Sequence, residues 1–121
     1  MKRVILIADD SQAIRKFLTT SLTINGFDIV AATDGLDALE KMSSSKIDLV
    51  ITDLNMPNID GFELIRSIRK NHDYDDLPII ILSSLSNMED IKMGMSVGAN
   101  SYLVKPFDQK RIQYEVSKYL N

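Results

Sequence analysis

Four short runs of mostly branched apolar residues recur along the chain: Val4 to Ala8, Leu49 to Ile51, Ile79 to Leu82 and Tyr102 to Val104. A weaker alternating run extends from Phe27 to Ala31. A half-exposed antiparallel strand would alternate, whereas continuous runs of this length predict strands covered on both faces. Between them lie segments with helical spacing. The first carries Ile14, Phe17, Leu18 and Leu22, the second Leu36, Leu39 and Met42, the third Phe62, Ile65 and Ile68, and the fifth Ile112, Val116 and Leu120. Each is long enough for a crossover helix. A β-α unit repeated five times specifies an α/β fold: a doubly wound, five-stranded parallel sheet with right-handed crossovers and helices on both faces. The fourth helical segment, Met88 to Val97, has apolar residues on more than one stripe, with Gly94 in the middle. It reads as a core helix with methionine as filler rather than as an adaptable contact surface.

At 121 residues, with no linker or low-complexity tract, the chain is expected to form a single domain over residues 1–121. Fourteen basic residues against seventeen acidic ones give a net charge of −3, and the basic residues are scattered. The broad positive surface of a direct nucleic-acid binder is therefore missing. The absence of cysteine excludes a disulfide scaffold, a thiolate zinc site and a cysteine nucleophile. After Met1-Lys2-Arg3 only five apolar residues precede Asp9, too few for a signal-peptide core or a membrane span, so a cytoplasmic location is the expectation. Thirteen of the seventeen acids are Asp, a turn and metal-site residue, which places the acids in loops rather than on helix surfaces.

In a parallel sheet all strands end at one edge, and ligands bind there, at the point where the strand order reverses. The residues following the runs are Asp9 and Asp10, Thr52 and Asp53, Ser83 and Ser84, and Lys105 and Pro106. Three carboxylates within about 4 to 5 Å would repel one another by roughly 3 to 4 kcal/mol per pair at an effective dielectric near 20. A hard divalent cation with oxygen ligands, Mg2+ above all, would compensate, and Lys105 would add a second positive centre. A metal beside an ammonium and the Ser83 hydroxyl suits the spread negative charge of a transferring phosphoryl group, with a carboxylate as acceptor. Taken singly, such residues are often helix caps, and Asp10 or Ser11 is placed to cap the segment beginning near Gln12. Four strand ends offering one compatible set are harder to explain as capping. Pro106 permits a cis bond that would fix the direction of Lys105. The only histidine, His72, lies in a polar loop leading into the fourth strand, at the opposite edge, and reads as solvated; the acids around it lack the pattern of a calcium loop.

The residues Asp9-Asp10, Asp53-Leu54-Asn55-Met56-Pro57, Asp60-Gly61, Ser83-Ser84, Gly98-Ala99 and Lys105-Pro106-Phe107 resemble, in order and spacing, those of response-regulator receiver domains of the CheY-like, single-domain type. The resemblance covers essentially the whole chain and implies a flavodoxin-like sheet of order 2-1-3-4-5. It further implies that Asp53 is the phosphoacceptor, supplied by the phosphohistidine of a sensor histidine kinase. Asp10, Asp53 and the backbone carbonyl of Asn55 would ligate Mg2+, with Mn2+ as an acceptable substitute, and Asp9 would act through water. Ser83 and Lys105 would bind the phosphoryl group, and Tyr102 would rotate inward as the Ser83 hydroxyl moves. The surface of the fourth helix, fifth strand and fifth helix would present the phosphorylated state to a downstream protein, the chain being a monomer or a weak phosphorylation-dependent dimer. In the family the positions of Asn55 and Leu85 tune how readily water attacks the acyl phosphate. Leu85 cannot orient a water, which implies slow self-dephosphorylation.

On this reading the chain is a signalling phosphoacceptor rather than an enzyme, with no nucleic-acid or membrane contact of its own. Chemotaxis and transfer to a histidine phosphotransfer protein are both compatible outputs, and a phosphorylation-independent pseudo-receiver scaffold is the remaining alternative. A haloacid-dehalogenase-like phosphatase would usually place a second acid where Asn55 stands and would carry a cap domain. A flavodoxin needs a Ser/Thr/Gly-rich phosphate loop after the first strand, where Asp9-Asp10-Ser11-Gln12 would repel an FMN phosphate.

Overall fold

The computed structural model describes residues 2–120; Met1, at the head of the basic N-terminal segment, and Asn121 lie outside them. Five strands, β1 (Val4–Ala8), β2 (Asp28–Ala32), β3 (Leu49–Thr52), β4 (Ile79–Ser83) and β5 (Ser101–Val104), alternate with five helices. The helices are α1 (Gln12–Ile24), α2 (Gly35–Ser44), α3 (Gly61–Lys70), α4 (Met88–Ser96) and α5 (Gln109–Ser117), and a 3-10 turn at His72–Tyr74 precedes β4. Every pairing is parallel and the order is β2-β1-β3-β4-β5. The order reverses between β1 and β3, so the crevice favoured for ligands lies beyond the ends of those two strands.

Period-two alternation sends each strand's side chains to opposite faces, and both faces are covered, as the continuous apolar runs require. On one face Leu6, Ala8, Val50, Ile79 and Ile81 pack with Ala38 and Met42 of α2 and Leu64, Ile65 and Ile68 of α3. On the other, Ile5, Ile7, Leu49, Ile51, Ile80 and Leu82 pack with Leu18 and Leu22 of α1 and Ile112 and Val116 of α5. Each helix begins on a residue whose side chain accepts the amide three positions on: Ser11, Asp34, Asp60, Asn87 and Asp108. Three of these caps are aspartates, which accounts for part of the Asp excess.

The structure corrects the reading of α4 as a methionine-filled core helix. Its only buried residue is Gly94, while Met88, Met93 and Met95 are 65%, 45% and 42% exposed. A Cβ on Gly94 would stand 2.7 Å from Ile81 Cδ1 and 3.2 Å from the Tyr102 ring. The helix therefore approaches the sheet through bare backbone and leaves its methionines outside. A smaller correction concerns α2: Leu36, in its first turn, is exposed and Ala38 is buried instead. Leu120 is buried as expected, although the helix ends before it, at Ser117. His72 is solvated, its side chain 90% exposed.

Candidate functional site

Hydrogen bonding of the sheet continues past the strand ends and fixes the residues that follow. The amide of Asp9 donates to the Ala32 carbonyl at 3.2 Å, that of Asp53 to Ala8 at 2.9 Å, and that of Lys105 to Ser83 at 2.8 Å. Asp9 and Asp53 are thereby held at the switch point between β1 and β3, 2% and 8% exposed. Asp10 is exposed beside them, and one carboxylate oxygen from each of the three lies within 4.8 Å of the others. Ser11, not Asp10, caps α1, accepting from the Ile14 amide at 3.3 Å, so Asp10 remains available to the cluster.

Backbone amides orient both buried carboxylates in the same way. Asp9 Oδ1 accepts from the Ser11 amide at 2.9 Å and Asp53 Oδ1 from the Leu54 amide at 2.7 Å. The other oxygens face Lys105, whose Nζ lies 3.5 Å from both Asp9 Oδ2 and Asp53 Oδ2. The Lys105–Pro106 peptide is cis. Burial pushes the Asp9 carboxyl above its ordinary value; the Ser11 amide and Lys105 oppose the shift, and Asp53 and Asp10 reinforce it. Three carboxylates against one ammonium leave an excess of negative charge among hard oxygen donors. The residues present fit a small divalent cation.

Ser83, at the end of the neighbouring β4, is fully buried. Its Oγ accepts from the Leu85 amide at 3.1 Å, and the Tyr102 hydroxyl donates to the Leu85 carbonyl at 2.7 Å. Tyr102 is already turned toward the β4–α4 loop, where burial pushes its phenol upward, partly offset by the Ser83 hydroxyl. Asn55 is exposed on the loop two residues after Asp53. The site is therefore assembled in two parts: Asp9, Asp10, Asp53 and Lys105 in one cluster, and Ser83, Leu85 and Tyr102 in a linked chain of hydrogen bonds beside it.

Asp60-Gly61 stood out in the sequence only among the residues that carry the resemblance, whereas in the structure Gly61 sets the shape of the acceptor loop. A Cβ there would lie 2.1 Å from the Asp53 carbonyl oxygen and 2.8 Å from Leu54 Cα, and its amide donates to Leu54 at 2.9 Å. Arg15, whose guanidinium donates to the Asp9 carbonyl at 2.8 Å, had no sequence signal either. Beside Lys105 an apolar groove of about 300 Å³ is lined by Ile14, Phe17, Pro106 and Phe107. A larger cleft of about 450 Å³, between Ser45–Asp48 and Asp73–Pro78, opens at the opposite edge and holds none of these site residues.

The sequence profile of the response regulator receiver domain matches residues 5–117. "Probable transcriptional regulator ycf27" of Porphyridium aerugineum is 39% identical over 119 residues, 98% of this chain and 48% of that protein. "Response regulator MprA" of Mycobacterium ulcerans is 40% identical over 103 residues, 85% of this chain and 44% of that protein. The chain spans about half the length of these curated relatives. Among solved structures, chemotaxis protein CheY4 of Vibrio cholerae aligns with a TM-score of 0.94 at 32% identity, covering 99% of this chain and 100% of that one. The receiver domain of Francisella response regulator 1452 aligns with a TM-score of 0.89 at 33% identity, covering 98% and 96%.

Proposed function

The chain belongs to the response regulator receiver domain family of two-component signalling, and from that premise we propose that it accepts a phosphoryl group on Asp53 from the phosphohistidine of a sensor kinase. The observation that carries this reading is the convergence of Asp9, Asp10 and Asp53, with Lys105 3.5 Å from two of them. Asp53 Oδ2 attacks phosphorus, the phosphorus–nitrogen bond breaks, and the imidazole leaves with the electron pair. Asp10, Asp53 and the Asn55 carbonyl would hold Mg2+ or Mn2+, with Asp9 acting through water, and the cation would spread the charge of the transferring group. Lys105 offsets the carboxylate charge before transfer and pairs with the phosphoryl oxygens after it. Ser83 Oγ accepts from the Leu85 amide through a lone pair, and its rotatable hydroxyl hydrogen can turn to donate to the phosphoryl group.

Phosphorylation adds charge at one end of a short mechanical link. A move by Ser83 toward the phosphoryl group pulls on the Leu85 amide, and the Leu85 carbonyl holds Tyr102 on β5. That link supports a two-state element read by a partner protein at the α4–β5–α5 face. The chain in this reading is a phosphoacceptor with no substrate to turn over. Among the described residues no helix is long and apolar enough to cross a membrane, and we place its action in the cytoplasm with the kinase's catalytic portion. The test is intact mass after incubation with acetyl phosphate, with and without Mg2+. Gain of one phosphoryl group by the wild type in Mg2+, absent from Asp53→Asn, is expected; no gain under any condition would leave the pseudo-receiver scaffold. Passage of the label to a histidine phosphotransfer protein would identify a relay.

A further inference from the structure

The loop between Asp53 and Gly61, which carries Asn55, is gripped from outside the site by residues that the reading above does not use. Asp34 caps α2, with Oδ1 accepting from the Asp37 amide at 2.8 Å. Its second oxygen, Oδ2, accepts from Asn58 Nδ2 at 2.7 Å, across 24 positions of sequence. Asn58 is the only non-glycine residue with positive φ among the described residues, at 68°, a conformation that Asn tolerates better than most residues. The next residue on each side of this bond is in contact too: a Cβ on Gly35 would lie 2.6 Å from the Ile59 carbonyl oxygen and 2.9 Å from Ile59 Cβ. The N-terminus of α2 therefore abuts the middle of the acceptor loop, with a glycine for the close approach and a charge-assisted hydrogen bond as the pin.

We propose that Asp34 and Asn58 are positioning residues, their hydrogen bond holding the loop so that Asn55 and the three aspartates bind a divalent cation together. The proposal rests on the metal-dependent phosphoacceptor reading and adds to it a determinant on a different loop. Neither residue touches the cation. Their effect is to reduce the number of loop conformations that binding would otherwise have to select among.

The test is NMR titration of the unphosphorylated protein with Mg2+, comparing wild type, Asn58→Gly and the exchanged pair Asp34→Asn/Asn58→Asp. Glycine accepts the positive φ without strain and removes the side-chain bond, but it also frees the loop backbone, so the exchanged pair is the variant that isolates the bond. The exchanged pair reverses donor and acceptor, keeps an acceptor for the α2 cap and leaves net charge unchanged. Expected is a loss of Mg2+ affinity of about threefold to tenfold in Asn58→Gly, the range for one hydrogen bond. Recovery to within about twofold of wild type is expected in the exchanged pair, since the bond is restored. An Asn58→Gly affinity equal to wild type, or an exchanged pair as weak as Asn58→Gly, would overturn the role of the bond while leaving the aspartate site intact. Failure of the wild type itself to bind Mg2+ would overturn the metal-dependent reading, and the positioning role with it.

Discussion

The Tyr102 hydroxyl donates to the Leu85 backbone carbonyl at 2.7 Å, tying the second residue of β5 to the loop that follows Ser83. Tyr102→Phe removes that bond while keeping the ring against Gly94. Unfolding free energy should fall by about 0.5–1.5 kcal/mol, measurable by urea denaturation. Amide exchange in the β4–α4 loop should quicken. Burial raises the Tyr102 phenol above its ordinary 10.0, so the folded state holds this proton longer than the unfolded chain does. Stability is therefore lost as pH rises above 10.0 and through the folded value, and Tyr102→Phe removes that part of the alkaline loss. An alkaline limb unchanged in the variant would show that Tyr102 is not the group responsible.

Asp9 gives the opposite lesson about cost. Its carboxyl is raised from 3.8, first by burial, so the native protein binds the proton more tightly than the unfolded chain. The sign of linkage is then fixed: with no cation bound, stability declines as pH rises above 3.8 through the raised value, and Asp9 is a net burden at neutral pH. Asp9→Asn, which keeps an acceptor for the Ser11 amide, should stabilise the metal-free protein by about 0.5–2 kcal/mol at pH 7. The gain should shrink to nothing below pH 3.8. Added Mg2+ should raise the melting temperature of the wild type more than that of the variant. A variant less stable than wild type at pH 7 without cation would contradict this account.

Gly61→Ala tests the acceptor loop. The added Cβ meets backbone, at 2.1 Å from the Asp53 carbonyl oxygen, and backbone in a hydrogen-bonded loop cannot swing aside as a flexible side chain can. Destabilisation of about 1–3 kcal/mol or more is expected, together with loss of phosphoryl uptake from acetyl phosphate. Gly26, at a φ of 93° with nothing within 4 Å of its Cβ position, is the control: Gly26→Ala should cost stability through its backbone conformation but leave uptake intact.

The contrast between these positions shows what the sequence made legible. The parallel sheet followed from the apolar runs Val4 to Ala8, Leu49 to Ile51 and Ile79 to Leu82, because strands buried on both faces need continuous apolar runs; β3 and β4 each extend one residue further, to Thr52 and Ser83. Asp9, Asp53, Ser83 and Lys105 followed from the rule that parallel strands end at one edge, and three of them are in contact there. Hydrophobic periodicity failed at α4, where a glycine makes the closest approach to the sheet and the methionines are left over. The Asp34–Asn58 bond was hidden for a related reason: a contact between two loops 24 residues apart depends on how helix ends meet, which no local pattern encodes.

Leu85 bears on how long a phosphoryl group would last. Its side chain is half-buried and packs against the α2–α3 face of the core, while its amide and carbonyl are occupied by Ser83 and Tyr102. Hydrolysis of an acyl phosphate needs a water aligned with the phosphorus–oxygen bond. An apolar side chain two residues beyond Ser83 offers nothing to align one, so self-dephosphorylation should be slow. Leu85→Glu supplies a carboxylate that can orient water and draw off its proton, and acceleration of about tenfold is expected, below the full effect of a well-placed general base. The measurement is decay of the phosphorylated mass after the donor is removed by gel filtration, in excess Mg2+. Decay that is unchanged or slower in Leu85→Glu would mean that another position controls water access. The stability of Leu85→Glu should be measured alongside, because the substitution also removes packing from beside Tyr102. Leu85→Gln serves as the comparison, with similar loss of packing and no proton acceptor: faster decay in Glu than in Gln would assign the effect to the carboxylate.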